Sequence, residues 1–191
     1  MTTGSPTRTA RKQRLTSAIM LCALLLGLSD WAWAQPADDQ LALKVKAAFL
    51  FNFAKFVTWP PQKSPAAAAP LQLCVLQPDP FGSVLGETVA GKTIDGHPLQ
   101  LRVSPRITDL RGCHLIFLGE TDSAKLASQL AQLSGNNSLL VYESEDTLAN
   151  GAIRFENSER RIRFEVNLAT TERESLQISS KLLSLATVVR Q

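Results

Sequence analysis

Gly86-Glu87-Thr88-Val89-Ala90-Gly91-Lys92-Thr93 satisfies G-x-x-x-x-G-K-T, the pattern in which backbone N–H groups and a lysine cradle nucleotide phosphates. That chemistry needs a strand before the loop and a helix after it, so that a helix N-terminus faces the phosphates. The flanking residues offer the reverse. Asp79-Pro80-Phe81-Gly82 turns the chain into a short helix through about Thr88, and Ile94-Asp95-Gly96-His97-Pro98 turns into a strand. The octapeptide therefore reads as a glycine-rich turn. The chain has 2 histidines. His97 precedes Pro98 in a turn and reads as solvated, whereas His114 opens an apolar run beside Cys113. Neighbouring side chains on a strand point to opposite faces, so a Cys113–His114 dyad is geometrically poor. No G-x-S-x-G elbow, H-E-x-x-H motif or metal-spaced His/Cys cluster is present, and no catalytic, cofactor or metal residue is assigned.

The cysteines carry the remaining covalent chemistry, and their count depends on what precedes the folded part. Arg8, Arg11, Lys12 and Arg14 form a basic n-region, Leu15 to Leu28 an apolar run, and Ala32-Trp33-Ala34 a small-residue cleavage signature. The run of about 14 residues is short of the ~20 that span a bilayer as a helix. This order of parts predicts a secretory signal over 1–34, cleaved after Ala34, with 35–191 as one exported periplasmic domain. Of 20 Lys+Arg and 17 Asp+Glu, the signal holds four and one, leaving sixteen of each. A neutral exported domain lacks the basic footprint of a nucleic-acid binder. Cys22 leaves with the signal, and the pair Cys74 and Cys113 in an oxidising compartment reads as a disulfide, with two buried free thiols as the alternative. The bridge closes a loop worth ~4 kcal/mol in the chain-entropy treatment.

The elements that must position these residues alternate helix and strand. Asp38 to Thr58 reads as a helix stopped by Trp59-Pro60-Pro61, with Phe49, Leu50, Phe53, Ala54, Phe56 and Val57 on an apolar face that only Lys46 interrupts. Leu71–Leu76, Leu99–Val103, His114–Leu118 and Ser138–Tyr142 read as strands, and Thr121 to Leu133 as a helix capped by Thr121. Ile153-Arg154-Phe155-Glu156 and Ile162 to Val166 alternate as a hairpin turning at Asn157-Ser158, with a charged ladder of Arg154, Glu156, Arg161, Arg163 and Glu165 on one face. Ser179-Ser180 precede a helix bearing Leu182, Leu183, Leu185, Ala186 and Val189. The fold class is α/β: a three-layer sandwich, a mixed sheet covered by helices, in a single domain.

Two surfaces stand out. Phe49 to Pro60 holds four phenylalanines and a tryptophan, which are either all core or a partly exposed groove or dimer face. The charged ladder is either a solvated face or a recognition site.

The stretch Val45 to Pro60, with Asp79-Pro80-Phe81-Gly82, Gly91 to Gly96, Cys113 to Phe117, Arg163 to Leu168 and Leu176 to Leu183, resembles the YfiR family of periplasmic repressors. The resemblance implies a periplasmic α/β sandwich that tends to homodimerise. It implies a protein that binds the periplasmic sensor part of an inner-membrane diguanylate cyclase and represses cyclic di-GMP synthesis, and with it biofilm formation. An outer-membrane lipoprotein as a second partner is implied likewise, and no catalysis. Unlike some members, this chain has no cysteine pair around Gly151. On this reading Phe53, Trp59 and Pro60 form an apolar anchor for the partner, Glu165 and Asn167 add polar contacts, and Glu165→Arg is expected to spare the fold but abolish repression. The competing class is a periplasmic small-ligand module using the aromatic groove around Phe53 and Trp59.

Overall fold

The computed structural model describes residues 35–119, 122–144, 151–158 and 161–190. By its internal contacts the chain divides into two units, 1–39 and 40–191, and the sheet lies wholly in the second. The expected signal and its cleavage after Ala34 lie outside the described residues.

Alternation of apolar side chains on strands decides the layers. In β2 (Leu71–Leu76), Leu71, Leu73 and Val75 join one core cluster, while Cys74 and Leu76 join another. β5 (Leu115–Leu118) and β6 (Leu139–Glu143) divide the same way. Strands buried on both faces need helices on both. The first face receives α1 (Gln35–Phe56), through Ala47, Leu50, Phe53 and Ala54, and α2 (Ser83–Val89), through Leu85 and Val89. The second receives α3 (Ser123–Leu133), through Leu126, Leu130 and Leu133, with Leu110 of a 3₁₀ turn (Ile107–Leu110). Burying each such leucine is worth about 1.5–3 kcal/mol. The result is the expected three-layer sandwich.

β4 (His97–Ser104), β2, β5, β6 and β7 (Ile153–Ser158) are neighbours in that order and all parallel. This is the doubly wound order in which the strand sequence reverses beside the first strand, here between β2 and β5. The sheet continues with β8 (Arg161–Asn167), antiparallel to β7, and β10 (Val188–Arg190), parallel to β8; β3 (Thr93–Ile94) is antiparallel to β4 at the other edge. A separate two-stranded ribbon pairs β1 (Val57–Thr58) with β9 (Gln177–Ile178).

Several expectations are corrected. α1 ends at Phe56 because Val57 and Thr58 pair with Ile178 and Gln177. Asp122, not Thr121, caps α3, its carboxylate accepting from Lys125 N at 2.8 Å; Thr121 lies outside the described residues. Asn157 and Ser158 do not turn the hairpin; they pair with Ile162 and Arg161, so the turn falls beyond them. The last helix is only α5 (Ser180–Leu183), and Val189 belongs to β10. His97 is half-buried, its Nδ1 2.9 Å from Ala69 O, and is not freely solvated.

Candidate interaction surface

Pairing of β7 with β8 sets Arg154 opposite Glu165 and Glu156 opposite Arg163, so the ladder is a set of cross-strand charge pairs. One pair is buried. Arg154, 7% exposed, grips Glu165 with two nitrogens at 3.1 and 3.0 Å, while its Nη1 donates to Ser144 O at 2.9 Å. Burial opposes the Arg154 charge, and the Glu165 carboxylate more than offsets it, raising its pKa above the ordinary value. Arg190 of β10 donates to the same carboxylate at 3.0 Å. Asn167 ends β8 and caps α4 (Leu168–Arg173), its Oδ1 accepting from Thr170 N at 3.1 Å. A Cβ at Gly151 would run into the ring of Tyr142, so the chain entering β7 passes against that ring with no room for a side chain.

The aromatic anchor does not form. Phe53 is 0% exposed; it stacks on Phe49 with centroids 5.9 Å apart, meets Phe155 at a tilt at 5.6 Å and meets Phe164 edge-on at 4.9 Å. Trp59, 7% exposed, donates Nε1–H to His114 O at 3.1 Å and meets the His114 ring edge-on at 5.7 Å. The hairpin phenylalanines fill the space that a groove would occupy, so this surface is core and the small-ligand reading based on it is corrected. Pro60 is half-buried and its carbonyl accepts from Lys63 N and Ser64 N, starting the 60–70 loop. Lys46 is buried and pairs with Glu143. Glu165 and Asn167 stand two apart on β8 and so share a face of the strand, and both are engaged within the fold, Glu165 by Arg154 and Arg190 and Asn167 by Thr170 N.

What is exposed and apolar lies elsewhere. Leu185, Val188 and Val189 are 65%, 40% and 39% exposed. Val188 is in register with Glu165, and Val189 with Val166. Val188 and Val189 are consecutive on β10 and so face opposite sides of the sheet at its edge. Sequence reasoning missed this exposed edge because the spacing suits a helix face. The signal was the β-branched run Thr187-Val188-Val189.

The other expected features are also placed. Cys74 and Cys113 form a disulfide with Cα atoms 6.0 Å apart. Gly86 lies inside α2, Gly91 turns with φ +67° and Thr93 enters β3, the reverse of a phosphate loop. Among the described residues, no group of three or more His, Cys, Asp or Glu comes together to hold a metal, and no helix is long and apolar enough to cross a membrane.

The structure is a doubly wound α/β domain, bridged by a buried disulfide and edged by β10 beside the Arg154–Glu165–Arg190 cluster. Residues 43–187 match the profile of the YfiR/HmsC-like family, and the chain belongs to that family. At family level this is a class of periplasmic regulators of diguanylate cyclase. Among solved structures, a conserved domain protein from Vibrio cholerae O1 biovar El Tor str. N16961 is similar with TM-score 0.52 and 7% identity, over 78% of this chain and 60% of that one. An ABC domain from Streptococcus pneumonia in complex with L-Trp gives TM-score 0.49 and 8% identity, over 75% and 60%. The chain thus spans 60% of the length of either structure, and the first likeness bears on the fold alone. No curated protein matches the chain.

Proposed function

We propose that this protein is a periplasmic repressor that binds the sensor region of an inner-membrane diguanylate cyclase and holds that enzyme inactive. The family match over residues 43–187 carries this reading. Repression of this kind is a population shift: the repressor binds the inactive state of the sensor more tightly than the active one. The edge formed by Leu185, Val188 and Val189 beside Arg190 supplies the contact, in place of Phe53 and Trp59, which the core occupies. Export through the 1–34 signal, homodimerisation and capture by an outer-membrane lipoprotein belong to the same proposal.

Crosslinking of the exported protein to membranes is expected to recover a diguanylate cyclase. Val189→Glu places a charge on a strand position that is 39% exposed. It is expected to leave the melting temperature in place while cyclic di-GMP rises. Unchanged repression by Val189→Glu overturns the surface, and absence of a cyclase from the crosslinked material overturns the function.

A further inference from the structure

The carboxyl ends of β2 and β4 open onto a groove of about 350 Å³ that the regulatory reading does not use. Leu76 floors it, Pro105 and Ile107 line one side, and Lys125, Gln129 and Gln132 of α3 line the other. Its place in the fold is informative. From β2 the chain runs through α2 on one face to β4, whereas from β5 it runs through α3 on the opposite face to β6. The groove opens at the carboxyl end of β2, one of the two strands between which that order reverses, and ligands of open α/β sheets bind beyond the carboxyl ends of their strands. Its size falls within the range of small-ligand sites, about 300–1,000 Å³.

Both walls are fixed before any ligand arrives. The Ser104 hydroxyl donates to Asp109 Oδ2 at 2.8 Å and accepts from Arg106 N at 3.2 Å, and Arg106 bonds the same carboxylate oxygen at 3.0 Å. This network pins the Pro105–Ile107 side. The other side is a helix capped by Asp122 and anchored through Leu126, Leu130 and Leu133, with Gln132 Nε2 held against Ser128 O at 3.2 Å. At the mouth, Gln77 N donates to Ser104 O at 3.0 Å and ties the ends of β2 and β4 together. Rigid walls spare a ligand the cost of ordering its site.

The lining chemistry selects the ligand class. Lys125 is the one charged residue among the lining residues, so it matches a single carboxylate and not a polyphosphate. Glutamine amides donate and accept at once, as backbone amides do. The apolar floor suits an aliphatic side chain. We propose that this groove binds a short peptide, with its terminal carboxylate on Lys125, its amides against Gln129 and Gln132, and an aliphatic side chain over Leu76, Pro105 and Ile107.

N-acetyl-alanyl-alanine and its C-terminal amide, titrated separately into the disulfide-bonded full chain and followed by backbone amide NMR shifts, test this. The free acid is expected to give saturable shifts centred on Gln77, Lys125 and Gln129. Lys125→Gln, an exposed substitution checked by an unchanged melting temperature, is expected to weaken it about tenfold, the scale of one charge-assisted hydrogen bond. The amidated peptide is expected to bind the wild type as weakly as the acid binds the variant, with no further loss in the variant. Absence of saturable shifts, shifts centred elsewhere, or a Lys125→Gln variant that binds both peptides like the wild type overturns the proposal. None of these readouts depends on a cyclase.

Discussion

Glu165 holds two guanidinium groups at once, and that double role sets what its substitution does. Arg154 is buried on one side of the carboxylate, and Arg190 reaches it from β10 on the other. Truncating the carboxylate strands a buried cation that keeps its bond to the Ser144 carbonyl. Breaking a buried pair from one side costs about 3 kcal/mol or more, because the surviving charge keeps its desolvation penalty. Glu165→Ala is therefore expected to lower the stability measured by urea unfolding by about 3 kcal/mol, and Glu165→Gln by less, since the amide oxygen still accepts. Glu165→Arg puts three cations together and is expected to be the worst of the three. A loss of repression on Glu165→Arg would thus report instability, which corrects the expectation that this substitution spares the fold. An unfolding midpoint unmoved by Glu165→Ala would refute the buried pair.

At the scale of elements, one carboxylate joins two turns. The turn between α3 and β6 needs left-handed backbone at Gly135, φ +78°, and Asn137, φ +53°. Glu174, buried just after α4, accepts from Gly135 N at 2.6 Å, Asn137 N at 2.8 Å and Ser134 Oγ at 3.2 Å. Asn137 Nδ2 donates back to Glu174 O at 2.9 Å. Hydrogen bonds to a charged group are worth about 1.5–3 kcal/mol each, so Glu174→Ala is expected to destabilise by at least about 2 kcal/mol. Amide exchange at Gly135 and Asn137 is expected to accelerate more than exchange in β2; uniform acceleration would mean that no local clamp exists. The turn itself was legible, since Gly135-Asn136-Asn137 ends the helical pattern, but nothing near it points to a partner 37 residues onward. The same limit explains the end of the chain. Leu182, Leu183, Leu185, Ala186 and Val189 fit a helical stripe, yet pairing of Val188–Arg190 with Glu165–Asn167 wins. Period and turn chemistry reveal elements, whereas pairing between distant segments decides short ones.

Across the whole molecule, the fold class was legible because strand alternation is a local property, and the Cys74–Cys113 pair because setting Cys22 aside leaves these two cysteines. The direction of the aromatic surface was not. Four phenylalanines on one helix exceed its own needs, but Phe155 and Phe164 arrive from the hairpin to pack against Phe49 and Phe53. Nor did the lone buried histidine reveal its work, which is to join the amino ends of three strands. His114 N donates to Gln72 O at 2.9 Å, and its carbonyl accepts from Leu139 N at 2.8 Å and Trp59 Nε1 at 3.1 Å. Its Nδ1 accepts from Gln72 N at 2.9 Å, which requires that nitrogen to be unprotonated. Burial, then the nearby Lys63 ammonium and, more weakly, His97, lower its pKa below the ordinary 6.5, against a bond to the Lys63 carbonyl that raises it. Burial likewise lowers the Lys63 pKa, partly countered by Glu174. A depressed histidine binds fewer protons folded than unfolded, so its contribution is complete above pH 6.5 and is lost as pH falls toward the folded value. Asp109, held below its ordinary 3.8 by the Ser104 hydroxyl and then by Arg106, loses its contribution only in a more acidic window. The melting temperature is therefore expected to fall as the pH drops below about 6.5. His114→Asn, whose side-chain oxygen can take over acceptance from Gln72 N, is expected to flatten that fall while leaving the decline at lower pH. A wild-type melting temperature that rises on mild acidification, or the same slope in His114→Asn, would show that another group governs this window.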